Sequence, residues 1–405
     1  MKRPVSLLLL AAVCTAIVSP FAFAAAAGKP AAPERSPMAP MATAISTVTG
    51  IAISPLLGTG AYGAYQWWSA GSESARAGLP WYAQIKFWLP ALLVVGLVAA
   101  KDAVGAAVPA QFKKPLDVLE VVENKMSGLV AAGAVVPIAI DSFSKMIFSP
   151  GSAVAAGPLL EPSGLAMVQL GAFSASSLLD LVTVPLGIAV FAVVWLSSHA
   201  INVLILLSPW GAIDAALKSA RTALLGLVAV TAAIDPWLGA LLSLGVIAVA
   251  YFLSGWAFRL TLYGTEFCWD FLTFRSGRFI PAENDNPVFA GSGFTAVPVR
   301  ARGRLVQRTE GGLQFFHRPW PWMAPRQVAV PGAPAELAVG RGLFFSEIST
   351  TDNRTLFLLP PRYRGHEETL ARAYGMSGVK PAGLNRAWGA LRSLFGGRAV
   401  KPAVT

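Results

Sequence analysis

The polar side chains most able to do chemistry are the few that interrupt a long apolar run. Residues Leu165 to Leu207 contain only two ionisable side chains, Asp180 and His199. Burying a carboxylate in such surroundings costs free energy, so Asp180 is a candidate functional group unless it marks a helix end that water reaches. His199 and Asn202 are three residues apart on one helical face, so they could line a pathway or hydrogen-bond across helices.

Charged side chains near the ends of predicted helices form a second group of candidates. Asp214 and Lys218 are four residues apart and can pair on one helical face. Arg259, Glu266 and Asp270 also recur at helical spacing, because four and seven residues separate them. This spacing favours an interfacial ion-pair cluster over a gate.

Arginines in the C-terminal part are candidates for contacts with lipid phosphates. Arg300, Arg302 and Arg304 alternate with apolar residues on a predicted strand, where a solvated face is the alternative interpretation. Arg386 and Arg392 lie on a predicted basic amphipathic helix near the C-terminus. Such a helix suits the inner leaflet of a membrane, and docking on the preceding domain is the alternative.

The sequence lacks the patterns of catalytic, cofactor and metal sites. Two cysteines, Cys14 and Cys268, exclude a disulfide framework, and the three histidines have no metal-ligand spacing. Residues 58–63 match GxGxxG, but no strand precedes them, so we predict close helix packing there instead. We therefore predict no enzyme, no cofactor and no metal.

Hydropathy and charge indicate an integral membrane protein. The 405 residues are 55% hydrophobic and 13% charged, with a mean hydropathy of +0.58, whereas soluble domains carry roughly 25% charged residues. Most of the net charge of +11 lies after Tyr263, which fits positive-inside anchoring and anionic headgroups. We therefore predict membrane lipids and a protein partner of the C-terminal domain as partners, and no nucleic acid.

The N-terminus has the pattern of a signal peptide over residues 1–24. A positive start precedes the short apolar run Val5 to Val18, and Ala22 and Ala24 offer small residues at a cleavage site. An uncleaved first transmembrane helix is the alternative. Residues 25–44, rich in Pro and Ala, are predicted to be a flexible extracytoplasmic lead.

Residues 45–274 are predicted to form a transmembrane helical bundle of five to seven spans. The run from Leu165 to Leu207 would reach roughly 65 Å as one helix, about twice a bilayer core, so we expect a break near Pro185. Charge favours seven spans, and five spans with two re-entrant helices is the alternative. The predicted spans are 45–68, 81–100, 115–140, the two halves of 165–207, 211–234 and 237–262.

Two segments of this bundle share a pattern. Residues 117–137 and 214–236 each contain an early acid, a Gly-Leu-Val-Ala tetrad and a later proline. This suggests an internal repeat, with chance similarity between apolar segments as the alternative. These features, with Ser208-Pro209 before Asp214, resemble a bacterial multi-pass inner-membrane family of unknown function over about residues 50–262. The resemblance implies the helical architecture and no activity.

The C-terminal part is predicted to be a linker (275–294), a cytoplasmic β-rich domain (295–376) and a basic tail (377–405). Alternating hydrophobicity favours a small β-barrel closed by one helix, and the domain resembles the bacterial pleckstrin-homology-like domains. Asp352-Asn353 is predicted to form a hairpin turn. The predicted strands are 297–305, 313–316, 327–330, 336–345 and 355–359, and the helix is 366–374.

The function expected from these features is that of a small permease or channel-like protein. It would sit in the bacterial inner membrane, with its C-terminal domain in the cytoplasm. The repeat, the prolines within spans and Asp180 favour this hypothesis. The alternative is a non-transporting membrane scaffold, or a lipid- or partner-sensing protein, built on the same architecture.

Overall fold

The computed structural model describes residues 39–105, 110–147, 175–208, 211–308, 312–320, 322–342 and 345–381. Within them lie two compact units. The helical unit comprises residues up to 201 together with 215–254, and the sheet unit comprises 202–214 and the residues from 255 onward. The predicted signal peptide and most of the basic tail, including Arg386 and Arg392, lie outside the described residues.

Eight α-helices precede the sheet in the described part of the chain, and a short 3-10 helix at Trp81–Ala83 leads into the fourth. They are α1 (Ala39–Ile53), α2 (Pro55–Ser69), α3 (Glu73–Ala77), α4 (Ile85–Gly105), α5 (Ala110–Ile147), α6 (Ala175–Leu207), α7 (Gly211–Ile234) and α8 (Pro236–Leu272).

Three of the described helices are long and apolar enough to cross a membrane, fewer than the five to seven spans predicted. The qualifying segments are Pro185–Leu207, Ile213–Ile234 and Pro236–Leu272. The predicted first span is instead two helices, because the first helix ends before Ser54 and Pro55 starts α2. Proline is favourable at this first helical position, where a backbone N–H would have no partner within the helix. The apolar part of α4 is too short, and α5 carries charges through its first half.

The predicted break near Pro185 is wrong, since α6 is one continuous helix from Ala175 to Leu207. A proline inside a helix removes one backbone hydrogen bond, but apolar helices of the membrane-spanning type tolerate this loss. The predicted flexible lead also ends earlier than expected, because α1 begins at Ala39.

Small residues bring the helices of the helical unit close together. At Gly60 a Cβ would lie 3.2 Å from Leu92 and 3.3 Å from Ala91 of α4, and at Gly63 it would overlap the backbone of Tyr82. The GxGxxG segment therefore mediates close helix packing, as predicted. The apolar core beside it joins α1, α5 and α6 through Val48, Ile51, Ala131, Phe191 and Val194.

The sheet unit contains one open eight-stranded sheet in the order β4-β3-β2-β1-β7-β6-β5-β8. All neighbouring strands are antiparallel except β5 and β8, which are parallel. In the described residues β4 and β8 are the two edges, so the predicted closed barrel is wrong. The strands are β1 (Asp285–Ala290), β2 (Arg302–Gln307), β3 (Leu313–His317), β4 (Arg326–Ala329), β5 (Leu337–Arg341), β6 (Ser346–Thr350), β7 (Thr355–Leu359) and β8 (Val379–Pro381).

The predicted linker contains a central strand of this sheet. Asp285–Ala290 forms β1, which pairs with β2 and β7. Asn286 and Pro287 suggested turns, yet Asn286 is buried and its amide group bonds the backbone of Ala282 and the hydroxyl of Tyr374. Since every polar group of Asn286 is satisfied, it can stand inside the sheet.

One helix, α9 (Glu367–Ala373), covers part of the sheet, close to the predicted range of 366–374. Leu370 of this helix and Tyr374 after it are fully buried. The Tyr374 hydroxyl donates to the carbonyl oxygen of Leu305 at 2.8 Å, and burial raises the pKa of Tyr374 to about 12. The hairpin turn predicted at Asp352-Asn353 is present, with Asn353 in the left-handed region at φ 60°.

Candidate functional site

The candidate site is a polar face of α5 inside the helical unit. Asp117, Glu120, Asn124 and Ser127 follow one another at spacings of three and four, and all four are buried. The other side of the helix is apolar and exposed. A water-soluble helix instead exposes its polar side. The buried side of α5 also contains Val118 and Val121. The exposed apolar residues of α5 are Leu116, Leu119, Met126, Leu129 and Val130.

An ion pair joins this polar face to α7. Lys218 Nζ donates to Glu120 Oε2 at 2.8 Å, and the two side chains are 18% and 7% exposed. The sequence predicts Asp214, four residues earlier, as the partner of Lys218. The observed partner, Glu120, lies 98 positions earlier. Both charges are largely removed from water and attract each other. Removing one of them therefore destabilises the other.

A second polar contact joins the face to α6. His199 is fully buried, and its Nδ1 lies 2.8 Å from Asn124 Oδ1. Because the amide oxygen accepts, Nδ1 carries the proton and Nε2 is the basic nitrogen. Nε2 has no hydrogen-bond partner among the described residues. The imidazole also stacks on Trp195, with ring centroids 5.1 Å apart, so His199 presents a buried basic nitrogen in a fixed orientation.

The position of Trp195 depends on Gly128 of α5. A Cβ atom at Gly128 would overlap the indole ring of Trp195. Gly226 occupies the corresponding place in the second Gly-Leu-Val-Ala tetrad, and a Cβ there would meet no atom within 4 Å. The two predicted repeat segments therefore have different surroundings at their matching glycines.

Gly128→Ala is expected to lower stability by about 1–3 kcal/mol, because the added methyl must push Trp195 off His199. Gly226→Ala is the matched control and is expected to be neutral or to stabilise by up to about 1 kcal/mol through helix propensity. Thermal unfolding of the full chain in detergent micelles measures both. Equal effects of the two substitutions would contradict the packing described here.

The ion-pair candidates Glu266 and Asp270 share one face of α8 and bind the sheet unit's Arg362. Arg362 Nε donates to Asp270 Oδ2 at 2.7 Å, and Nη2 donates to Glu266 Oε2 at 3.0 Å. Glu266 also pairs with Arg302. Arg259 lies on the same helix and donates from Nε to the carbonyl oxygen of Val299 at 3.2 Å.

The arginines proposed to contact lipid do not share one face. Arg302 and Arg304 are exposed on β2, and Arg304 pairs with Asp285 at 2.7 Å. Arg300 precedes the strand with φ 63° and is 1% exposed. Burial lowers the pKa of Arg300 to about 10. Arg300 is therefore part of the interior of the sheet unit, and the predicted strand over 297–305 begins only at residue 302.

The other candidates from the sequence are distributed between the units. Asn202 and Asp214 are buried in the sheet unit. Asp180 falls within α6, and its side chain lies outside the described residues.

Sequence reasoning missed Glu120, Asn124 and Arg362. The polar spacing of 117, 120, 124 and 127, with leucines between, could have revealed the face of α5. Arg362 carries no local signal, because its partners lie more than 90 positions earlier.

Comparison of the chain with protein-family models, with curated proteins and with solved structures gives no match. The two family resemblances therefore remain predictions.

Proposed function

We propose that the chain is an integral protein of the bacterial inner membrane whose helical unit is a small permease or channel-like protein. The observation that carries the proposal is the inverted α5, with its polar face inside and its leucines outside. Such a helix is favourable where lipid surrounds the bundle and a polar substrate or ion needs an interior path.

The surfaces of the apolar helices support the membrane location. Only 6% of the most apolar window of α7 and 22% of that of α8 are buried. Leaving so much apolar surface in water would be unfavourable by roughly 25 cal/mol per Å². A cluster of Trp67, Trp68 and Trp88, with ring centroids 5.1–5.7 Å apart, suits the headgroup region at one end of the helical unit.

The chemistry of the polar face supports the transport role. A buried ion pair and a buried imidazole are costly in a structure that needs only packing. The Glu120–Lys218 pair can exchange partners with a passing ion, and His199 Nε2 can accept a hydrogen bond. We therefore propose a small ionic or proton-bearing substrate, with Glu120, His199 and Lys218 in contact with it.

The orientation follows from charge. Arg259 lies in the second half of α8, the last apolar helix, and Arg275 and Arg278 follow its end. By the positive-inside rule they favour a cytoplasmic sheet unit. We also propose that the sheet unit is a pleckstrin-homology-like domain.

Thiol accessibility in intact cells tests the proposal. In a background with Cys14→Ser and Cys268→Ser, single cysteines would replace Ser127 on the polar face, Ala131 one turn further, and Asp352 at the exposed β6–β7 turn. We expect position 127 to react with small hydrophilic reagents and position 131 to stay silent, because Ala131 belongs to the apolar core. Position 352 should react with membrane-permeant reagents alone.

A silent position 127 would contradict the permease hypothesis and favour the alternative, a membrane scaffold. The observation behind that alternative is the ion-pair network that ties Asp270 and Glu266 of α8 to Arg362. Such a network suits a rigid sheet unit that presents a surface to a partner. Reaction of position 352 with impermeant reagents would contradict the cytoplasmic orientation.

A further inference from the structure

The loop between β3 and β4 carries an exposed group of aromatic side chains. Residues 318–325, here called the tryptophan loop, read Arg-Pro-Trp-Pro-Trp-Met-Ala-Pro, and the structure describes all of them except Pro321. Trp322 is 77% exposed and Met323 is 42% exposed. Exposed side chains of this size have no role in the core of the sheet.

The aromatic rings of the loop continue from a ring of α8. Phe258 stacks on Trp320 with centroids 5.5 Å apart, and Trp320 stacks on Trp322 with centroids 5.4 Å apart. All three residues belong to the sheet unit. The stacked rings therefore lead from the surface of an apolar helix to the exposed tip of the loop.

Phe258 lies at a defined depth along α8. Trp237 and Phe258 are 21 positions apart in this helix, or about 32 Å at 1.5 Å per residue. The hydrocarbon core of a bilayer is about 30 Å thick. If α8 crosses the membrane, as the proposed function requires, Trp237 and Phe258 lie at opposite interfaces. Arg259, the next residue, is then in the headgroup region.

We infer that the tryptophan loop inserts into the headgroup region of the leaflet from which α8 emerges. Trp320 is held at that level by Phe258, and Trp322 and Met323 extend beyond it into lipid. Tryptophan is favoured at this depth because its ring is apolar and its N–H can still hydrogen-bond. Arg318 begins the loop, Arg326 follows it at the start of β4, and both are exposed, so their charges favour anionic headgroups.

A fluorescent label on the full chain in lipid vesicles tests the inference. In the background with Cys14→Ser and Cys268→Ser, an environment-sensitive label would be attached at Trp322→Cys, and separately at Met323→Cys in case the first substitution disturbs the stack. Asp352→Cys, at the exposed β6–β7 turn, is the control. The vesicles contain phosphatidylcholine alone or with phosphatidylglycerol, plus lipid carrying a nitroxide near its headgroup.

We expect several-fold stronger quenching at positions 322 and 323 than at 352, with a blue-shifted emission, and stronger quenching again when phosphatidylglycerol is present. Quenching no stronger than at 352 would overturn the inference. A blue-shifted label that lipid nitroxide does not quench would also overturn it, because the loop would then contact protein.

Extraction with alkaline carbonate separates this inference from the proposed function on which it rests. A chain that resists extraction but shows no quenching at 322 and 323 is an integral membrane protein without an inserted loop. A chain that carbonate releases is not integral, and the proposed function and the depth argument for the loop then fail together.

Discussion

Arg362→Met is expected to lower the free energy of unfolding of the sheet unit by about 3–5 kcal/mol. The Arg362 side chain is 5% exposed and bonds both Asp270 and Glu266, whose side chains are 0% and 16% exposed. Removing the guanidinium takes away the 2.7 Å partner of the buried Asp270 carboxylate, which keeps the backbone N–H of position 362 at 3.2 Å and Arg275 at 3.9 Å. Pulse proteolysis of the full chain in urea, in detergent micelles, measures the folded fraction of the unit.

Arg304→Met is the control for this prediction. Arg304 also pairs with a carboxylate at 2.7 Å, but its side chain is 62% exposed, and an exposed pair contributes about 0–1 kcal/mol. Combining Arg362→Met with Asp270→Asn and Glu266→Gln should recover much of the loss, because no buried charge then stands alone. If the single and the triple variant lose the same stability, packing and not charge explains the role of Arg362.

Lys218→Met is expected to destabilise the helical unit by about 3 kcal/mol, since Glu120 loses the ion pair that joins α5 to α7. It should also abolish any ion flux through the polar face, because the substituted side chain offers no charge to exchange. Thermal unfolding in detergent micelles measures the first effect, and flux into vesicles that contain the full chain measures the second.

Lys86→Met is the matched control, because Lys86 is an exposed lysine near the start of α4, and it should change neither stability nor flux. The double variant Glu120→Gln with Lys218→Met should regain stability but not flux. Recovered flux in the double variant would contradict a substrate-contacting role for the pair while leaving its structural role intact.

Elements with a strong local pattern were predictable from the sequence. Helix α7 has the predicted bounds Gly211–Ile234, and strand β7 has the predicted bounds Thr355–Leu359. In each, hydrophobic spacing and flanking turn residues favour the same structure. The apolar windows of α6 and α8 were likewise evident, because length and hydropathy depend on neighbouring residues alone.

Elements that depend on distant partners were not predictable. The turn-like composition around Asn286 suggested a linker, but Tyr374 and two neighbouring strands make this segment a strand. Pro185 suggested a helix break, yet α6 continues through it. Alternation groups Arg300 with Arg302, but Arg300 precedes β2 with φ 63° and is buried.

Apolar helices followed by a basic, strand-forming domain are predictable from local hydrophobicity and charge. Which polar groups meet depends on how distant elements pack. Glu120 meets Lys218 and Asp270 meets Arg362, each across more than 90 positions. Helical and strand periodicity specify which face a residue occupies, because they arise from the local backbone. The partner on the facing element depends on how the elements pack, and that information lies in no single stretch of the chain.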